Sequence, residues 1–298
     1  MRIRIAHRTD YRYDPPAAGV IQMLRLTPRN HEGQHVVRWR IDVSADARLA
    51  AQEDAFGNIT HVFSADGPFA ELSVEVDGEV ETQNNNGVVR GTVERFGPSL
   101  FLRETALTQA DAAIRDFAHG IRAEKGGEIL GELHGLLDRL YEDMAHDADE
   151  RDSAANAAAA FAAKHGPPRD LSHIFIGAAR CLGIPARYVA GYIRHEEGGQ
   201  AQMQAQLGAQ DQAQDQVQVQ VQNQAKPQAQ PHAAGHAWAE AFVPELGWIA
   251  FDPTNGFCPT DCHVRVAIGL DALGAAPVRR MRYGVGAETS AVAIKVGQ

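Results

Sequence analysis

The chain is expected to adopt an α+β fold: an antiparallel β-sandwich, then a helical segment, then a second α+β unit. Three observations predict this. Apolar and polar residues alternate through much of the chain up to Thr82, helical periodicity dominates from Thr108 to Leu182, and strand-like runs return after Arg187. A length of 298 residues exceeds what one hydrophobic core usually supports, so two domains are expected.

In the first part, Arg2 to His7, Val37 to Val43 and Leu72 to Glu81 read as half-buried strands. Turn signals at Asp14-Pro15-Pro16, Thr27-Pro28-Arg29-Asn30, Asp54 to Asn58 and Asp66-Gly67-Pro68 predict several short strands, a sandwich over residues 1–82. A connecting helical segment follows over 83–152. Thr108-Gln-Ala-Asp111 has the form of a capping box for a helix running towards Arg122. Ile129, Leu133, Leu136, Leu137, Leu140 and Met144 share one helical face. The acidic stretch from Glu142 to Asp152 reads as a solvated turn.

The third unit spans 153–298. Ser153 can cap an Ala-rich helix that ends at His165-Gly166. Pro168 suits the first position of the next helix, whose buried face carries Leu171, Ile174, Phe175, Ala178 and Leu182. Arg187 to Ile193, Ala237 to Val243 and Trp248 to Phe251 are strand candidates. At about 199–231 glutamine recurs at nearly every second position, which reads as a disordered insertion between two strands.

Composition excludes several classes. A net charge of −10 argues against nucleic-acid binding, and no run approaches the roughly 20 apolar residues of a membrane span. The N-terminal residues lack the apolar core of a secretory signal, so cytoplasmic residence is expected. Three cysteines make no disulfide framework. No phosphate loop or dinucleotide fingerprint is present, so no cofactor is expected.

Three segments can assemble chemistry: Gly166 to His173 at a helix N-terminus, Gly235 to Glu240 on a strand, and Gly247 to Gly256 where a strand enters a turn. A histidine on one strand and an aspartate ending the next can form a base and its orienting partner. The nucleophile would come from a helix N-terminus, where the dipole and backbone donors favour an anion.

His236-Ala-Trp-Ala-Glu, Gly247-Trp and Asp252-Pro-Thr-Asn-Gly resemble the bacterial transglutaminase-like family, with its papain-type core. Ile174 to Arg180 and Leu182-Gly-Ile-Pro-Ala-Arg-Tyr-Val-Ala-Gly-Tyr192 resemble the family's nucleophile helix and following strand. Arg4 to Tyr13, Leu24 to Arg29 and Asp54 to Asn58 resemble its N-terminal sandwich domain. The resemblance implies a Cys-His-Asp triad for amide hydrolysis or acyl transfer from glutamine, with His236 as base and Asp252 as its partner. It places Pro168 at the cysteine position, because Asp170 and His173 keep the family's register.

The expectation is therefore a pseudoenzyme that keeps His236 and Asp252, lacks the thiol, and acts as a peptide-binding or regulatory module. Its ligand would be a peptide or protein, glutamine-containing ones included. Two alternatives stay open: an active hydrolase or acyltransferase using Ser172 or Cys258, and an assembly protein acting through the sandwich and the Gln-rich loop. Trp238 and Trp248 read as core aromatics, with the walls of a substrate cleft beside His236 as the functional alternative. Cys258, Cys262 and His263 lack a fourth ligand and do not make a metal site. Cys181 reads as a core filler, and Arg187 and Tyr192 as structural anchors. Oligomeric state is not legible from the sequence.

Overall fold

The computed structural model describes residues 1–146, 156–194 and 235–298. The Gln-rich stretch, Ser153 and most of the acidic stretch lie outside the described residues.

The N-terminal unit is antiparallel: β1 (Arg2–Thr27), β2 (Gln34–Val43), β3 (Ala50–Glu53) and β4 (Ile59–Thr82). Two of these strands are long, where the turn signals predicted several short ones. Asp14-Pro15-Pro16 and Gly67-Pro68 sit inside β1 and β4, and the ladder shifts register between Arg12 and Ala17. Proline has no N–H to donate, so it interrupts pairing without reversing the chain. Both halves then line one core, with Tyr11, Leu72 and Val74 meeting Val20, Leu24 and Phe63.

The C-terminal residues return to this unit. β12 (Val278–Tyr283) pairs with the second half of β1, and β13 (Ala287–Gly297) pairs with the first half. The expected third unit of 153–298 therefore does not run to the chain's end as one body. β1 would otherwise present a long open edge, and the returning strands satisfy its backbone groups.

The second sheet contains β8 (Ala186–Ile193), β9 (His236–Val243), β10 (Gly247–Phe251), β11 (His263–Gly269) and the short β5 (Val88–Val89), in the order β11-β8-β9-β10-β5. Its helical layer consists of α1 (Ala112–Lys125), α2 (Ile129–Asp143), α3 (Ala157–Ala163) and α4 (Pro168–Cys181). A two-residue parallel pair, β6 (Ala145–His146) and β7 (His165–Gly166), ties the end of α2 to the entry of α4. α4 is the central helix, and Pro168 and every residue from Asp170 to Arg180 are buried.

Helix boundaries depend on local chemistry. Asp111, not Thr108, caps α1, its carboxylate accepting from Ile114 N–H. Thr108 is buried and accepts from the Arg180 guanidinium at 2.7 Å. Asn156 caps α3, and Lys164 closes it in the left-handed conformation, so Gly166 is free to enter β7. Gly177 lets α4 pass beneath the Thr108 carbonyl, because a Cβ there would lie 2.6 Å from that oxygen.

The second sheet buries both faces. Ala237, Ala239 and Ala241 pack with the helical core, while Trp238, Trp248, Val189, Ile268 and Phe101 form a separate cluster. Two buried amides join the sheets. Gln34 exchanges hydrogen bonds with the backbone of Arg265 at 2.8 and 2.9 Å, and Asn58 does the same with Ile268, both at 2.8 Å. Each side chain supplies one donor and one acceptor to β11, as a neighbouring strand would. His7 Nδ1 and the Tyr192 hydroxyl, 2.9 Å apart and buried, add a third link.

Candidate active site

The site begins with the alternation of β9. His236, Trp238 and Glu240 share the face opposite the three alanines, and His236 opens the strand across from Gly191. β10 then delivers Asp252 at its end, inside the turn Asp252-Pro253-Thr254-Asn255-Gly256. The turn closes through Gly256 N–H to the Asp252 carbonyl at 2.9 Å. Gly256 has a φ of +72°, and a Cβ there would meet the Tyr141 ring at 2.6 Å. Only glycine suits both requirements.

His236 Nε2 lies 2.6 Å from Asp252 Oδ2. Asn255 donates its amide to the same oxygen at 2.7 Å, and Thr254 and Asn255 N–H donate to Oδ1 at 3.1 and 3.3 Å. His263, at the start of β11, places its Nε2 3.1 Å from Oδ2. Asp252 is fully buried. Burial alone would raise its pKa, but the two histidines hold it well below the usual carboxylate range. An ionised carboxylate only accepts, so His236 presents its Nε2 proton to it. In the neutral ring Nδ1 then keeps the lone pair, and it has no hydrogen-bond partner among the described residues.

The expected nucleophile position holds no nucleophile. Pro168 is the first residue of α4 and is buried, and the body of α4 packs against β9, the strand of His236. Ser172, expected as a substitute, is wholly buried and donates its hydroxyl to the Pro168 carbonyl at 2.7 Å. This is the local helix bond that a serine one turn along makes. Cys258 packs against Gly87, and burial, aided by Asp138, pushes its thiol up to about 11. It is a poor thiolate source near neutral pH.

Trp238 and Trp248 are both buried. Trp248 packs edge-on to Phe101, with the Arg187 guanidinium 3.8 Å above its ring. Trp238 backs the histidines, its ring centroid 5.4 Å from that of His263. It also lines a cavity with His31, Gln34, Thr260, His263 and Arg265, between the second sheet and the N-terminal unit. Glu240 is ion-paired to Arg187 at 2.6 Å and to Arg265 at 2.7 Å. Burial raises the pKa of Glu240, but the two arginines more than offset it and bring it to about 2.

His236, Asp252 and His263 each offer a ligand atom within 4.8 Å of the others, the only such group among the described residues. Cys258 and Cys262 do not join it. However, Thr260 N–H donates to His263 Nδ1 at 3.2 Å, which places the neutral ring's proton on Nε2. Binding a metal through that nitrogen would set two N–H groups against each other at Thr260. The arrangement fits a carboxylate shared by two imidazoles better than a metal centre.

Sequence reading missed His263 as a partner of Asp252 and did not separate Asn255 from its motif. Asn255 had a local signal, three residues after the aspartate in a turn. His263 had none, because its position depends on β11 lying beside β8.

A buried His–Asp pair on an antiparallel sheet, packed against a central helix, is the arrangement that the resemblance to a transglutaminase-like core implied. Comparison with protein families agrees. Residues 3–81 match the bacterial transglutaminase-like N-terminal region, and residues 115–253 match the transglutaminase-like superfamily. The chain carries both of these regions. Among curated relatives, the uncharacterized protein ML0607 of Mycobacterium leprae is 24% identical, with 99% of this chain and 98% of the relative covered. Rv2569c of Mycobacterium tuberculosis, also uncharacterized, is 24% identical over 99% of this chain and 91% of its own. Among solved structures, a candidate cysteine protease from Cytophaga hutchinsonii superposes with a TM-score of 0.68 at 18% identity. That match covers 100% of this chain and 90% of the other, and it establishes the fold.

Proposed function

We propose that this protein is a transglutaminase-like pseudoenzyme that binds a peptide or protein segment instead of cleaving or transferring it. One observation carries the reading: His236 and Asp252 stand 2.6 Å apart in a buried setting, while Pro168 occupies the expected nucleophile position at the start of α4. Proline removes both the thiol and a backbone N–H. Loss of one oxyanion donor costs about 10²–10³ in rate, and loss of a triad nucleophile around 10⁶. Ser172 and Cys258 offer no replacement, one being committed to a helix carbonyl and the other held as a thiol. The lone pair on His236 Nδ1 suits a ligand that donates an N–H, as a peptide or glutamine side-chain amide does.

The test compares the parent with Pro168→Cys, using a thiol-directed acyl probe and a glutaminyl peptide with an amine acceptor. The parent is expected to show no labelling at position 168 and no turnover, and the variant to gain both. Parent turnover that disappears in Ser172→Ala or Cys258→Ala would overturn the reading in favour of an active hydrolase or acyltransferase.

A further inference from the structure

We infer that His263 is a positioning residue: its Nε2–H shares the Asp252 carboxylate with His236 and so fixes the carboxylate against which His236 is aligned. Its functional meaning rests on the reading of His236 as the working imidazole, but the hydrogen bonding can be measured without any reaction.

Both nitrogens of His263 are committed. Thr260 N–H donates to Nδ1 at 3.2 Å, and a backbone amide cannot accept in return. The neutral ring's proton therefore sits on Nε2, which lies 3.1 Å from Asp252 Oδ2. His236 differs, since one of its nitrogens faces Asp252 and the other has no hydrogen-bond partner among the described residues. Of two imidazoles on one carboxylate, one is a strut and the other keeps a nitrogen for a ligand.

The packing supports the same division of roles. The His263 ring is held edge-on by Trp238 at 5.4 Å and by Phe257 at 5.9 Å, centroid to centroid. It approaches Asp252 from β11, whereas His236 approaches from β9 and Asn255 from the turn itself. Oδ2 thus takes donors from three separate parts of the chain, and rotation of the carboxylate would break all three bonds. The bond from His236, at 2.6 Å, is shorter than that from His263, at 3.1 Å. An acceptor shared among several donors gives each a weaker bond, so removing the His263 donor should strengthen the bond from His236.

A two-bond 1H–15N correlation spectrum of the ¹⁵N-labelled full chain tests this, with His236→Gln and His263→Gln supplying the assignments. At neutral pH His263 is expected to show a protonated Nε2 and an unprotonated Nδ1. In His263→Phe, which keeps a ring but loses the donor, the His236 Nε2–H resonance should move downfield. In His263→Gln, whose amide can donate to Asp252, it should return towards the parent position. A purely space-filling role for His263 predicts no such reversal. A parent His263 protonated at Nδ1, or a His236 resonance unchanged in His263→Phe, would overturn the assignment. So would loss of both Nε2–H signals on adding equimolar Zn²⁺, which would make the two histidines metal ligands. The parent spectrum decides the question even if His263→Phe fails to fold. An inactive Pro168→Cys variant would count against the proposed function and leave these resonances untouched.

Discussion

At the residue scale, the site is organised by Asp252, which accepts from two histidines, one amide side chain and two backbone N–H groups. Asp252→Asn would turn one acceptor oxygen into a donor facing other donors. We expect a loss of about 3 kcal/mol or more in urea-induced unfolding. Asn255→Ala, which removes one donor, should cost about 1–2 kcal/mol by the same measurement. Glu240 makes a pH prediction. Its folded pKa is depressed to about 2, so its ion pairs contribute fully above its ordinary value and are lost as pH falls towards 2. The guanidinium midpoint should therefore fall between pH 5 and pH 2.5, and Glu240→Gln should flatten that fall. The pairing of His236 with Asp252 was readable from two motifs sixteen positions apart, because adjacent antiparallel strands bring such positions together. The partnership of Asp252 with His263 was not readable, since it depends on which strand lies beside β8.

At the element scale, the expected helices and core strands exist, and what differs is where they begin and end. The expected capping box at Thr108 does not form, because its threonine is taken by Arg180 and Asp111 caps α1. No signal local to Thr108 reveals a competitor that lies 72 residues away. α4 shows how tightly the elements meet: Gly177→Ala would drive a methyl into the Thr108 carbonyl. We expect that substitution to cost about 1–3 kcal/mol, read as a lower thermal midpoint with the helical circular dichroism retained. Ser172→Ala should cost about 1 kcal/mol or less, because its hydroxyl supplements a helix carbonyl and supports no other partner.

At the scale of the whole molecule, the two sheets are joined by side chains that imitate backbone. Gln34 and Asn58 each satisfy both polar groups of a β11 residue, and His7 meets Tyr192. Asn58→Leu would leave the Ile268 N–H and carbonyl buried without this partner. We expect a loss of about 2–4 kcal/mol and an earlier transition in thermal unfolding. The chain's end belongs to its beginning, since β12 and β13 both pair with β1. Removing residues 278–298 should expose that edge and shift the protein towards aggregation, as sedimentation would show.

The sequence by itself determined the periodicities, and with them the α+β class, the long amphipathic helices and the strands of the second sheet. It also determined the motifs that mark His236 and Asp252 and the absence of a thiol at Pro168. These are local properties, set by side-chain spacing and by covalent chemistry that folding does not alter. Tertiary structure alone decided that β12 and β13 close the first sheet, that Asp111 caps α1, and that Ser172 is spent on a helix carbonyl. It also decided that the third donor side chain on Asp252 is His263. Each of these rests on which distant backbone and side-chain groups come within hydrogen-bonding range, and spacing along the chain carries no record of that.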